Sequence, residues 1–221
     1  MPATLPFLLP VLSLAGLAWA VWQRPWRPLA HDDLQHGWLG ALVLTALLWT
    51  VRATLPGGLV LQLTGAALLT TLFGLPLALL SLFAVDVISL LGLAFLAGSG
   101  WQEIGWAALW PRFVWMGLAP ALLAVVLQAA MRRWLPHHPF IFILGHGYFS
   151  AGLAALGAGV AQALWREWGG ARGVVPLADV LTGLLVLAFG EAFLSGMLVA
   201  VFVVYRPQWV LTFLDEDYLR R

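Results

Sequence analysis

From Leu59 to Ala97 the chain runs through thirty-nine residues with a single charged side chain, Asp86. Such a stretch is far longer than the core of a soluble helix and longer than the roughly 20 apolar residues that cross a bilayer once. It excludes a water-facing surface along its whole length. The rest of the chain follows suit: 62% of the 221 residues are hydrophobic and 10% are charged, where a soluble domain needs about a quarter charged. A bilayer is the solvent that accepts this composition, and only internally hydrogen-bonded helices or closed barrels span it. The expectation is an all-α, polytopic membrane helix bundle of about seven transmembrane helices, with residues 1–221 as one integral membrane domain.

Punctuation in the chain sets the spans. Apolar runs cover 5–22, 38–54, 112–131, 140–165 and 177–205, and Arg, Pro and Gly clusters separate them. Gly74 and Pro76 divide the long stretch into a short span, 59–73, and a second, 76–97, because proline removes a backbone donor and glycine loosens the chain. The first run lacks a basic leader and a small-residue cleavage site, and is read as a retained span. Residues 206–221 form a short charged tail. Trp22, Trp38, Trp101, Trp134, Trp165 and Trp209 fall near the ends of these runs, where an indole has one wet and one apolar side. With seven spans, Arg24, Arg27, Arg132, Arg133, Arg206, Arg220 and Arg221 share one side, and Arg52, Arg112, Arg166 and Arg172 the other. The arginine excess puts the N-terminus outside and the tail in the cytoplasm.

Composition also excludes functions. The chain has no cysteine and a net charge of +1, so it offers no disulfide, no thiolate site and no basic face for nucleic acid. All its basic residues are arginine. A phosphate-binding loop of the Gly-x-x-x-x-Gly-Lys-Ser/Thr kind needs lysine, so ATP is not hydrolysed here by that route. No cofactor is expected.

The costly residues are the informative ones. An ionisable group near mid-bilayer costs at least about 2.5 kcal/mol on insertion scales and so has a partner or a task. Asp86 and Glu191 lie in the middle of their runs, each either an internal lock between helices or a functional group. His146, between Gly145 and Gly147, is read as a ligand or relay residue, or as a satisfied core histidine. Gln62 and Thr64 open the short third span after Pro56-Gly57-Gly58, where backbone freed by a glycine-rich break lines a cavity. The expected substrate-binding residues are therefore Gln62, Thr64, Asp86, His146 and Glu191. Gly147, Ala151, Ala155 and Gly159, four apart, make a stripe on which a neighbouring helix packs closely. An intramembrane serine enzyme built on Ser150 or Ser195 with His146 is the weakest reading. Neither serine has a Gly-x-Ser-x-Gly setting, and a helical serine four residues after another residue bonds that residue's carbonyl. The chain is not expected to be an enzyme.

Three stretches carry a resemblance. They are Pro56-Gly57-Gly58 with Gln62-Leu63-Thr64-Gly65 and Leu72-Phe73-Gly74-Leu75-Pro76-Leu77-Ala78, the Gly/Trp-rich loop 98–111, and Gly190-Glu191-Ala192-Phe193 with Gly196 and Tyr205-Arg206-Pro207-Gln208-Trp209. Together they resemble the membrane substrate-capture subunits of energy-coupling-factor transporters for cobalt and nickel, the CbiM/NikM type. The resemblance implies a bundle in the bacterial inner membrane and a permease role in metal ion import. It also implies separate ATPase and transmembrane coupling subunits as partners. It implies a metal site built from an N-terminal Met-His segment and from the histidine of a His-Leu-x-Gly motif. Here Met1 is followed by Pro2, which has no amide hydrogen to lose, and the second histidine position reads Gln62, a poor transition-metal ligand. The fold and a transport role carry over from the resemblance; the nickel or cobalt site does not, and whether a metal binds stays open. The alternative is a non-transporting accessory membrane protein.

Overall fold

A computed structural model describes residues 5–30, 32–54, 60–98, 100–169 and 175–213. Met1-Pro2, His31, Pro56-Gly57-Gly58, Arg172 and the tail from 214 lie outside the described residues.

Among the described residues the regular elements are helices apart from one two-residue antiparallel strand pair. Helix α1 is Leu5–Trp22 and α2 is Asp32–Thr50. Between them, Arg24 takes a positive φ just before Pro25, a residue type that disfavours helix in its predecessor. Asp32 and Asp33 fill the first turn of α2, where negative charge complements the helix dipole. Strands β1 (Ala53–Thr54) and β2 (Val60–Leu61) pair with Ala53 opposite Leu61. Helix α3 is Ala66–Leu96, α4 Trp106–Trp134, α5 Pro139–Trp168 and α6 Leu177–Tyr205. Helices α4 and α5 each contain a π-helical stretch, Phe113–Leu118 and Phe142–Phe149. The first ends shortly before Pro120, whose missing N–H and ring disturb a regular α ladder.

Helices α3, α4, α5 and α6 are long and apolar enough to cross a membrane, and Phe7–Trp22 is a shorter apolar helix. The chain is thus an all-α integral membrane protein, but the count of seven spanning helices is not reached. Three of the expected spans fall short: the first is the shorter apolar helix, α2 is not among the four, and the third, 59–73, is not a helix of spanning length. Its first residues are extended, and helix begins only at Ala66. Gly74, at φ 75° and ψ 161°, then breaks it. Residues 66–73 form a half-helix of about 12 Å at a helical rise of 1.5 Å. The longer part of α3 follows the Gly74 break, with Pro76 in its first turn. The second run begins earlier than expected, at Asp32, and ends at Thr50; α4 begins at Trp106 rather than 112.

The two halves of α3 lie at the centre. Ala66, Leu69, Leu79, Leu82 and Val85 are buried among α1, α2 and α4, and Phe113 of α4 packs edge-on to Phe83. Trp38 of α2 donates to Ser81 Oγ at 2.8 Å, and Gly92 comes against the Thr50 hydroxyl. Helix α2 and the second half of α3 therefore run in the same direction. Two residues of the small-residue stripe are used within the chain: Gly147 faces Val199 and Gly196, and Gly159 faces Leu184; Gly152, beside the stripe, faces the Ala188 carbonyl and Ala192. These close approaches lay α5 antiparallel on α6. Large apolar side chains such as Phe189, Val186 and Phe149 point outward, as suits a lipid-facing rim.

Candidate functional site

Residues 60–65 carry backbone groups that no helix satisfies, and in an apolar interior each must find a partner. The end of α2 supplies some. Trp49, fully buried, donates its indole N–H to the Thr64 carbonyl at 2.7 Å, and the Gln62 amide donates to the Trp49 carbonyl. Helix α6 supplies others. The Glu191 carboxylate accepts from the Thr64 N–H and from the Gly65 N–H, the latter at 3.1 Å and 3.3 Å to its two oxygens. The Thr64 hydroxyl accepts from the Ala66 N–H at 3.3 Å. Gly65 holds φ 62°, a left-handed conformation that glycine enters without strain. Glu191 thus caps the half-helix from a different helix, placing a carboxylate at the end where helix dipoles favour negative charge.

The structure brings Gln62, Thr64 and Glu191 into one knot around Trp49. Asp86 stands beside it with a partner of its own. Arg112, inside α4, places its Nε 3.3 Å from Asp86 Oδ1. Arg112 Nη2 donates to Ser89 Oγ at 2.8 Å, and Ser89 Oγ donates to the Asp86 carbonyl at 3.0 Å. The guanidinium lies 5.8 Å from the centre of the Trp49 ring. Trp49 therefore touches both clusters: its N–H holds the break, and its face meets the ion pair. Neither Asp86 carboxylate oxygen nor Arg112 Nη1 makes a hydrogen bond, so the pair rests on ionic attraction alone.

His146 belongs elsewhere. It lies at the opposite end of the half-helix, where its carbonyl accepts from the hydroxyls of Thr71, at 3.2 Å, and Ser150. Gln128 of α4 donates to Thr71 Oγ1 at 2.8 Å and to Ser150 Oγ at 3.3 Å. The His146 ring packs against Phe142, 4.7 Å between centroids, and lines a small cavity with Met131, Arg132 and His137. Ser150 is bound to a backbone carbonyl, as a structural helical serine is.

The carbonyls that the Gly74 break releases are satisfied by the segment after α6. The Leu211 N–H donates to the Leu72 carbonyl at 2.6 Å, and the Thr212 hydroxyl to the Thr71 carbonyl. Arg112, Gln128, Trp49 and Thr71 are site residues that the sequence did not single out. Gln128 alone left a readable trace, a lone amide within an apolar run.

Among the described residues no three His, Asp or Glu side chains converge in a way that could hold a metal ion. Searches of curated proteins and of solved structures found no match. The family model described as the cobalt uptake substrate-specific transmembrane region matches residues 2–209. The match covers nearly the whole chain, the half-helix and Glu191 included, and the chain belongs to the cobalt uptake substrate-specific transmembrane family.

Proposed function

We propose that this chain is the substrate-capture membrane subunit of an energy-coupling-factor type importer for cobalt or a related divalent transition metal. The observation that carries the reading is the family match over residues 2–209. In this reading residues 1–221 form one domain of the bacterial inner membrane, and the free energy comes from separate ATPase and transmembrane coupling subunits. The absence of lysine from the whole sequence supports that division of labour.

Seven crossings of the membrane are part of the same reading. Since α2 and the second half of α3 run in parallel, as Trp38 beside Ser81 and Thr50 beside Gly92 indicate, the chain between them has to return. Residues 60–73 make that return as an extended strand followed by the half-helix, a discontinuous crossing of the kind that builds transporter sites. Arg24, Arg27, Arg132, Arg133 and Arg206 gather near the Trp209 end, against Arg52, Arg112 and Arg166 at the other. That bias supports a cytoplasmic C-terminus and an outer N-terminus.

Gln62 and Thr64, at the break, are the residues assigned to face the cargo. Glu191 and Asp86 hold the break and its flank in place, and His146 lies on the cytoplasmic side of the half-helix. The test is radio-cobalt uptake in cells stripped of their own cobalt import and supplied with the coupling subunits. Uptake that depends on this chain, and falls several-fold with Gln62→Ala at equal expression, is the expected result. No uptake with all partners present would instead favour a non-transporting accessory protein.

A further inference from the structure

One groove in the molecule is not explained by cargo capture. Gly40 and Leu44 of α2 form one wall, Leu198 and Phe202 of α6 the other, and Leu68 and Leu72 of the half-helix the floor. Its volume is about 190 Å³. At roughly 30 Å³ per water-sized group, that is room for a short run of methylenes. An α-helix, about 10 Å across, does not enter it. Gly40 and Leu44 are exposed on the rim, and a Cβ built on Gly40 meets nothing within 4 Å. At its closed end Trp209 packs against Gly37, 2.7 Å from where a Cβ would stand. Above that ring, 5.9 Å from its centre, sits the Arg206 guanidinium, and His36 lines the same end.

We propose that this groove binds one phospholipid, its acyl chain lying between α2 and α6 on the half-helix and its phosphate beside Arg206. Apolar lining, slot-like width, exposure on a lipid-bathed flank and a cation at the interfacial end together select an anionic amphiphile with a single slender tail segment. The Trp209 indole marks the headgroup level, as interfacial tryptophans do. Since the floor is the half-helix itself, lipid in the groove braces the element on which Gln62 and Thr64 are mounted.

The experiment is native mass spectrometry of protein reconstituted in nanodiscs of phosphatidylethanolamine and phosphatidylglycerol, then released into mild detergent. The wild type should retain one phospholipid per chain, enriched in phosphatidylglycerol. Gly40→Phe, at a position with open space, should fold with unchanged circular dichroism and lose the retained lipid. Arg206→Ala should keep a lipid but lose the enrichment. A wild type that retains none, or a Gly40→Phe variant that retains lipid as the wild type does, would overturn the proposal. So would a retained second copy of the chain that Gly40→Phe releases. None of these readouts depends on cobalt uptake, so failure here and failure of the transport reading are separable.

Discussion

Glu191 accepts the backbone N–H of Gly65, 126 positions earlier in the chain, at 3.1 Å. The same carboxylate takes the Thr64 N–H, so one side chain satisfies two donors that the break in the third crossing would strand. Glu191→Ala should remove both acceptors, at about 1–3 kcal/mol for each stranded buried group. Glu191→Gln, whose amide oxygen still accepts, should recover part of the loss. Thermal unfolding in detergent checks the order wild type, Gln, Ala. Equal melting temperatures would show that the cap is unimportant to the fold.

Asp86 and Arg112 test a different principle. Removing one partner leaves a charge buried without compensation, which costs about 3–5 kcal/mol. Replacing both by apolar residues removes the charge altogether. Asp86→Leu and Arg112→Met should each destabilise strongly, and the double variant should stand close to wild type. A double-mutant cycle measured by detergent unfolding shows whether the two effects combine in this non-additive way.

Gly74 sits at φ 75° and ψ 161°, with open space where a Cβ would go. The conformation is reserved to glycine and costs about 1–3 kcal/mol for other residues. Gly74→Ala should lower the melting temperature although it clashes with nothing. Gly100→Ala, at φ −73° and equally open, should leave it unchanged. A matching loss at both positions would point away from backbone strain.

The seam between α5 and α6 should be intolerant of size. A Cβ on Gly152 stands 3.0 Å from the Ala188 carbonyl oxygen and 3.0 Å from Ala192 Cβ, neither of which is a flexible side-chain end. Gly152→Val should cost about 1–3 kcal/mol through overpacking. Gly159→Ala should cost less, because the atom it meets belongs to the movable Leu184 side chain. Comparing the two melting temperatures decides it.

The long helices were legible because an apolar run ended by Arg, Pro or Gly has few alternatives in a bilayer. Leu5–Trp22 and Leu177–Tyr205 begin and end at the residues the runs indicate. The break at Gly74 was legible for the same kind of reason, a glycine two residues before a proline. Residues 60–65, expected as helix, are not helical; apolar composition does not distinguish an extended strand from a helical turn when both are buried. Asp86 and Glu191 were recognisable as expensive, since their cost is local. Their partners were not: Arg112 stood at the first position of the run 112–131 and counted only toward orientation, and the partner of Glu191 is backbone, which carries no sequence signal at all. His146 is buried, and spacing does not reveal that its carbonyl, rather than its ring, takes up the neighbouring hydroxyls.

Glu191 grips one end of residues 66–73 and Leu211 grips the other, and both belong to the last helix or its immediate continuation. The short helical rod is thus moored fore and aft to that neighbour, with further ties to α2 at Thr64 and to α4 and α5 at Thr71. A tilt or slide of that neighbour pulls on both ends of the rod, and the Gly74 elbow is a joint that can take up the change in angle. A push on the chain at Leu211 would in this way reach Thr64 and Gly65, at the far end of the rod, without touching them.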